Sequence, residues 1–171
     1  MSRPTSILVT GGLGFVGKAI VTALAEAHPQ YKIFVLDIQS INDATPPRTG
    51  VEYLQGDIRK AHEVANAVEW AEPDVIVHTA GWVPGMNSRY RRRVQDVHNI
   101  TKLNVGGTLN VLEAAKENGV RALVYTSSYT VVTDDLDHDY PNMKEDMPVP
   151  PKSLIYGESK VRYRTMEHYS E

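Results

Sequence analysis

The chain of 171 residues contains no cysteine. Neither a disulfide framework nor a thiolate zinc site is therefore open to it. It also lacks a marked excess of either charge. The formal net charge is −3, so no broad basic field draws nucleic acid, and no nucleic-acid partner is expected. The one basic cluster, Arg89-Tyr90-Arg91-Arg92-Arg93, reads as a solvated loop or helix start rather than a phosphate site. No apolar run is long enough to cross a bilayer. The amino terminus reaches a strand pattern within a few residues, without a charged-then-apolar leader. A soluble, cytoplasmic chain is the expectation. Internal repeats are missing too.

Hydrophobic residues make up 42% of the chain, enough for a core in one domain over residues 1–171. Strand and helix patterns alternate along it, which predicts an α/β fold with a doubly wound parallel sheet covered on both faces. The strand patterns cover residues 7–10, 33–37, 51–55, 75–79 and 123–127. Their nearly continuous apolar character suits strands buried on both sides. A first helix is predicted over 15–27, burying Val16, Ile20, Ala23, Leu24 and Ala27. A second covers 60–71 with Val64, Ala67, Val68 and Ala71 on one face. A longer one covers 94–118, with Val97, Leu103, Val105, Leu109, Leu112 and Ala115 available for burial and Gly119 as its stop. Two loops remain, 40–50 and the proline-rich, acidic 134–153; a loop as long as the second is usually functional or mobile.

The densest signal is Thr10-Gly11-Gly12-Leu13-Gly14-Phe15-Val16-Gly17, directly after the apolar Ile7-Leu8-Val9. A second apolar segment, Ile33-Phe34-Val35-Leu36, ends in Asp37, twenty positions beyond Gly17. Strand, glycine loop, helix, strand and acid in that order form a dinucleotide-binding pattern. Gly12 is expected to permit the tight turn, Gly14 to admit a pyrophosphate against the backbone, and Gly17 to let the helix approach the sheet. The helix then aims unpaired N–H groups and its positive dipole end at the phosphates. Asp37 is expected on the adenosine ribose. A carboxylate there accepts ribose hydroxyls and repels an extra phosphate, which favours NAD over NADP. No basic residue at Ile38 or Gln39 opposes that preference.

Beyond the long loop lies Tyr156-Gly157-Glu158-Ser159-Lys160. On a helix, Tyr156 and Lys160 share a face. A phenol with its ordinary pKa of ~10 is a poor acid or base at neutral pH, and a neighbouring ammonium stabilises its phenolate. A hydroxyl beside the phenol could hold a substrate oxygen, and Thr126-Ser127-Ser128 supplies candidates at the carboxyl end of the fifth strand.

Taken together, these motifs resemble the amino-terminal half of an extended short-chain dehydrogenase/reductase. Thr10-Gly11-x-x-Gly14-x-x-Gly17 is similar to the cofactor loop of that superfamily, and Tyr156-x-x-x-Lys160 to its active-site pair. Asp57-Ile58 resembles the segment lining the adenine. His78-Thr79-Ala80-Gly81 resembles the fourth-strand motif, in which a second alanine is commoner at the position of Gly81. The run from Asn104 to Ala115 is similar to the central helix, and Val124-Tyr125-Thr126-Ser127-Ser128 to the fifth strand. His-Thr-Ala and Tyr-Thr-Ser-Ser lean toward the 3β-hydroxysteroid dehydrogenase/isomerase family. The resemblance runs from about Ser6 to Lys160.

That resemblance implies a site. Tyr156 would be the acid/base, Lys160 would lower its pKa and hold the nicotinamide ribose, and Ser128, rather than Ser127, would bind the reacting oxygen. Asn104 would connect Lys160 to solvent through water. Gly11, Gly12, Leu13, Gly14, Phe15, Val16, Gly17, Asp37, Asp57, Ile58, Thr79, Ala80 and Gly81, with Tyr156 and Lys160, would contact NAD. The implied reaction is NAD-dependent interconversion of a secondary alcohol and a ketone on a steroid- or sterol-like small molecule. An epimerase or dehydratase acting on a nucleotide sugar is the alternative with the same residues. A non-catalytic dinucleotide-binding fragment is the alternative of another class.

Other signals read plainly. His78, on a buried strand, is expected to pack or back the cofactor loop, and no metal site is expected. Trp82 reads equally as a cofactor contact or as core. Asp134, Asp135, Asp137 and Asp139 lack the glycine and terminal glutamate of a calcium loop and read as solvated. After Lys160 the family pattern has small and acidic residues where this chain has Arg162-Tyr163-Arg164. Extended members continue beyond the position of Glu171 through two further strands and a carboxyl-terminal substrate-binding region. The expectation is therefore an incomplete Rossmann domain, truncated after its fifth strand and the following helix. Its uncovered sheet edge would invite self-association.

Overall fold

The computed structural model describes residues 5–42, 46–84, 93–133, 141–144, 147–150 and 154–164, the side chains of 162–164 excepted. Arg89, Arg91 and Arg92 of the basic cluster, and Asp134, Asp135, Asp137 and Asp139, lie outside them. The described residues fall into two compact units. The first lies within Met1–Gly81 and Gly106–Thr126, the second within Trp82–Val105 and Ser127–Glu171.

The first unit is built on β1 (Ser6–Thr10), β2 (Lys32–Asp37), β3 (Val51–Gln55), β4 (Val75–His78) and β5 (Ala122–Tyr125). All pairs are parallel, in the order β3-β2-β1-β4-β5. The chain thus starts in the middle and winds outward both ways, the doubly wound arrangement expected from the alternation. Register places Thr10 opposite both Leu36 and His78, so the carboxyl ends of β1, β2 and β4 share one row. Whatever follows each of those strands is delivered to the same edge of the sheet.

One face packs Ile7, Val9, Leu13, Val21, Ile33, Val35 and Val51 into a core with α1 (Phe15–Ala27). α2 (Ala61–Ala71) buries Val64, Ala67, Val68 and Ala71, the four residues its periodicity singles out. It packs beside α4 (Gly107–Glu117), which buries Val111, Ala114 and Ala115. Each buried valine, leucine or isoleucine side chain contributes about 1.5–3 kcal/mol by leaving water, and each alanine methyl roughly 0.8 kcal/mol. At the end of α4, Gly119 takes a φ of +64° and Val120 N donates to Ala115 O at 2.9 Å, the stop expected there.

Three details depart from the sequence reading. α1 buries Gly17 and Val21 and half-buries Ile20 and Leu24, whereas Val16, Ala23 and Ala27 face solvent. The buried stripe is turned because Gly17 must lie on the glycine loop. The helix expected over 94–118 is interrupted. α3 (Val94–Ile100) passes into a π-helical stretch, Thr101–Gly106, before α4 begins. The wider turn changes the phase, so Ile100, Asn104, Gly107 and Thr108 are buried while Val97 is exposed. β5 ends at Tyr125, two residues early, because Ser128 opens a 3-10 turn over Tyr129–Val131.

The second unit carries α3, the π stretch, that 3-10 turn and α5 (Ile155–Arg164). Among the described residues, no helix is long and apolar enough to cross a membrane.

Candidate active site

The loop after β1 turns at Gly11, not at Gly12 as the motif suggested. Gly11 has a φ of +73°, and a Cβ there would stand 2.7 Å from the backbone of Ala80. Gly12 is small for another reason: a Cβ on it would stand 2.7 Å from the Val35 side chain. A Cβ on Gly17 would collide with the Gly11 carbonyl oxygen, so the close approach expected of Gly17 is made to the loop itself. Thr79 braces the turn, its hydroxyl donating to Thr10 O at 2.8 Å.

Asp37 is buried at the end of β2. Its carboxylate accepts Leu13 N–H at 2.9 Å and Gln39 N–H at 2.9 Å, tying the tip of the glycine loop to the second strand. The Asp37 carbonyl accepts Gly56 N–H at 2.8 Å, which brings the Asp57-Ile58 segment alongside. Asp57 pairs with Arg59 through Nε at 2.9 and 2.8 Å, and the side-chain hydrogen bond holds its carboxyl below the usual carboxylate range. Ile58 is buried against Gly107, and Asn110 Nδ2 donates to its carbonyl at 2.7 Å. Phe15 and Val16, by contrast, are exposed at the start of α1.

The amino end of α1 suits a phosphate. Its N-cap is Gly14, which brings no capping side chain, and the first turn holds no acidic residue. Its first N–H groups point outward from a loop with no Cβ at Gly11, Gly12 or Gly14. Under the same row, His78 is buried between the Thr10 hydroxyl at 2.5 Å and the Thr108 hydroxyl at 2.9 Å. That is the backing role expected of it. Among the described residues, no cluster of His, Asp and Glu could hold a metal ion.

In the second unit, α5 presents Tyr156 and Lys160 one turn apart, with Lys160 Nζ 5.7 Å from the centre of the Tyr156 ring. Lys160 is buried, and desolvation of its ammonium lowers its pKa to about 8. Ser159, between them, donates to Tyr156 O at 2.7 Å and accepts from Asn104 Nδ2 at 3.1 Å. Asn104 in turn accepts Trp82 N–H at 2.8 Å and donates to Trp82 O at 3.0 Å. One buried amide thus joins the π stretch, the Trp82 backbone and the turn of α5 that holds the Tyr–Lys pair. Trp82 is half-buried, and its backbone does the holding.

Ser128 caps the 3-10 turn, accepting from Thr130 N at 3.3 Å and Thr130 Oγ1 at 2.9 Å. A Cβ on Gly157 would strike the Thr130 carbonyl, so α5 rests on that turn through bare backbone one residue from Tyr156. Ser128 and Tyr156 are therefore carried by elements in direct contact. Sequence reasoning did not single out Gly157, Ser159 or Thr130. The interposed Gly and Ser within Tyr-x-x-x-Lys were the available signal.

The strand order, the glycine loop after the central strand and the acid ending the next define a Rossmann-fold nucleotide-binding architecture. Solved structures agree. The NAD complex of UDP-glucose 4-epimerase from Thermus thermophilus superposes with a TM-score of 0.77 at 29% identity, over 95% of this chain and 49% of that one. A short-chain dehydrogenase/reductase superfamily protein from Agrobacterium tumefaciens, solved with NAD, gives 0.73 at 26% identity, over 95% and 44%.

The profile of the 3-beta hydroxysteroid dehydrogenase/isomerase family matches residues 8–163, and the chain belongs to that family. The 3 beta-hydroxysteroid dehydrogenase type 7 of Rattus norvegicus is 39% identical over 82% of this chain and 41% of its own length. The sterol-4-alpha-carboxylate 3-dehydrogenase (decarboxylating) of Saccharomyces cerevisiae is 29% identical over 94% and 45%. The chain spans less than half the length of these two curated relatives.

Proposed function

We propose that this chain is an NAD-dependent oxidoreductase that interconverts a secondary alcohol and a ketone on a steroid- or sterol-like molecule. One observation carries the reading. A family member with an uncapped, glycine-walled helix start beside Asp37 also presents Tyr156 one turn from a buried Lys160 of pKa about 8.

The amides opening α1 and the loop Gly11, Gly12, Leu13, Gly14 would hold the pyrophosphate, with Gly17 keeping the helix close. Thr79 and Ala80 pack against the same loop, and Phe15, Val16 and Gly81 would complete the cofactor contacts. Each carboxylate oxygen of Asp37 keeps a lone pair beyond its backbone bond for a ribose hydroxyl. Asp57 and Ile58 would line the adenine. Bound NAD supplies the hydride acceptor for oxidation, or as NADH the donor for reduction. Tyr156 takes the proton from the substrate hydroxyl, or returns it to the carbonyl oxygen. Lys160, as ammonium, favours the phenolate that accepts that proton, and Ser128 holds the oxygen in place. Asn104 fixes α5 and keeps Lys160 on a path to water.

An epimerase or dehydratase would use the same residues; the family match favours the steroid reading. β5 ends the described sheet with Val124 54% exposed, which supports self-association along that edge. Calorimetric titration with NAD, paired with turnover on a panel of 3β-hydroxysterols and UDP-sugars, tests the proposal. Binding, sterol oxidation and its loss in Tyr156→Phe are expected. Binding without turnover would leave a nucleotide-binding module, and no heat with either NAD or NADH would overturn the reading.

A further inference from the structure

We infer that Glu63 is a positioning residue for the adenine end of the cofactor, holding the Asp57-Ile58 segment by its main chain. Glu63 lies in the first turn of α2, six residues beyond Asp57. Its Oε2 accepts Asp57 N–H at 2.7 Å, and its Oε1 accepts from Lys60 Nζ at 2.7 Å. The Lys60 hydrogen bond, and after it that from Asp57 N–H, holds the Glu63 carboxyl below the usual carboxylate range. At neutral pH it is therefore an ionised acceptor, and an amide N–H can only donate to it. Gly56 leaves room for the contact: a Cβ there would stand 3.4 Å from Glu63 Oε2 and 2.8 Å from the Leu36 side chain.

The rest of the segment is fastened in the same way. Gly56 N–H donates to Asp37 O at 2.8 Å, Asp57 O accepts Lys60 N–H at 2.9 Å, and Ile58 O accepts from Asn110 Nδ2 at 2.7 Å. Ile58 is buried, yet its own N–H meets no acceptor among the described residues. A buried amide without a partner is costly, and a ligand that brings an acceptor relieves the cost. A purine ring nitrogen is such an acceptor. Glu63 fixes the residue just before that amide, so its loss would let the donor turn away. The inference rests on the proposed reading for NAD as the ligand.

Calorimetric titration with two dinucleotides tests it and needs no turnover. One is NAD. The other is its 1,N6-etheno analogue, whose bridge covers the edge of the base carrying N1 and the amino group. Glu63→Ala should weaken NAD about tenfold, the size of one misplaced hydrogen-bonding group, and the analogue by no more than about twofold. Glu63→Gln keeps a carbonyl oxygen for Asp57 N–H and should bring NAD back to within about threefold of wild type. Lys60→Met removes the ion pair on Oε1 and should leave both affinities unchanged. Should Glu63→Ala fail to fold, Glu63→Met, of similar length and without a strong acceptor, makes the same comparison. Equal losses for the two dinucleotides, no loss for NAD in an acceptor-free variant, or an equal loss in Lys60→Met overturns the inference while the proposed function stands. A wild type that binds neither dinucleotide sinks the proposed function, and this inference with it.

Discussion

Lys160 carries an energetic cost that its function would explain. Burial lowers its pKa from 10.5 to about 8, so the folded chain binds fewer protons than the unfolded chain between those values. Stability should therefore rise with pH from about 8 to 10.5, as the penalty on the ammonium is relieved. At neutral pH that penalty is at most about 3 kcal/mol, and Lys160→Met should recover part of it while abolishing turnover. Urea unfolding at a series of pH values measures both. The Lys160 ammonium loses its proton at about 8, so kcat/KM for oxidation should fall above about pH 8, as the charge that favours the Tyr156 phenolate is lost. Tyr156 and Lys160 were legible because helical spacing gives their pairing a chemical meaning. Thr130 and Ser159 were not. A small hydroxyl residue has no sequence context that announces which oxygen it will meet.

Helices carry the site only where glycine lets backbone touch backbone. In Gly17→Ala the new methyl would meet the Gly11 carbonyl and push α1 off the loop. We expect at least a tenfold weaker NAD affinity by calorimetry, with a loss of about 1–3 kcal/mol in stability. Gly157→Ala strikes Thr130 in the same way. It should cost a similar amount in unfolding free energy and lower kcat, since it displaces the helix that bears Tyr156 and Lys160. The positions of α1, α2 and the five strands were legible from periodicity. The turned face of α1 was not, because its reason lies in Gly17 and not in the apolar residues. Nor was the π stretch, since a template of 3.6 residues per turn has no place for a wider one.

At the scale of the molecule, binding and stability are linked. A ligand held only by the folded chain adds about 2.7 kcal/mol at a hundred times its Kd, or roughly 5–10 °C in Tm for a chain of this size. NAD should produce a shift of that order in differential scanning fluorimetry, and NADP far less, because Asp37 would face the extra phosphate. Equal shifts would remove the basis for the cofactor preference. The doubly wound parallel sheet was legible because strand and helix patterns alternate along the chain. The division into two units was not, since one of its boundaries, at Val105 and Gly106, falls inside the π-helical stretch of a segment whose sequence reads as one helix.

The Asn104 side chain gives Trp82 the same acceptor and donor that a neighbouring strand would give. It is a peptide group borrowed from a helix. Position 104 is then chemically narrow. Leucine would strand both polar atoms of Trp82, and aspartate, nearly the same shape, would set a second acceptor against a carbonyl. A side chain that imitates main chain leaves evolution almost no synonym.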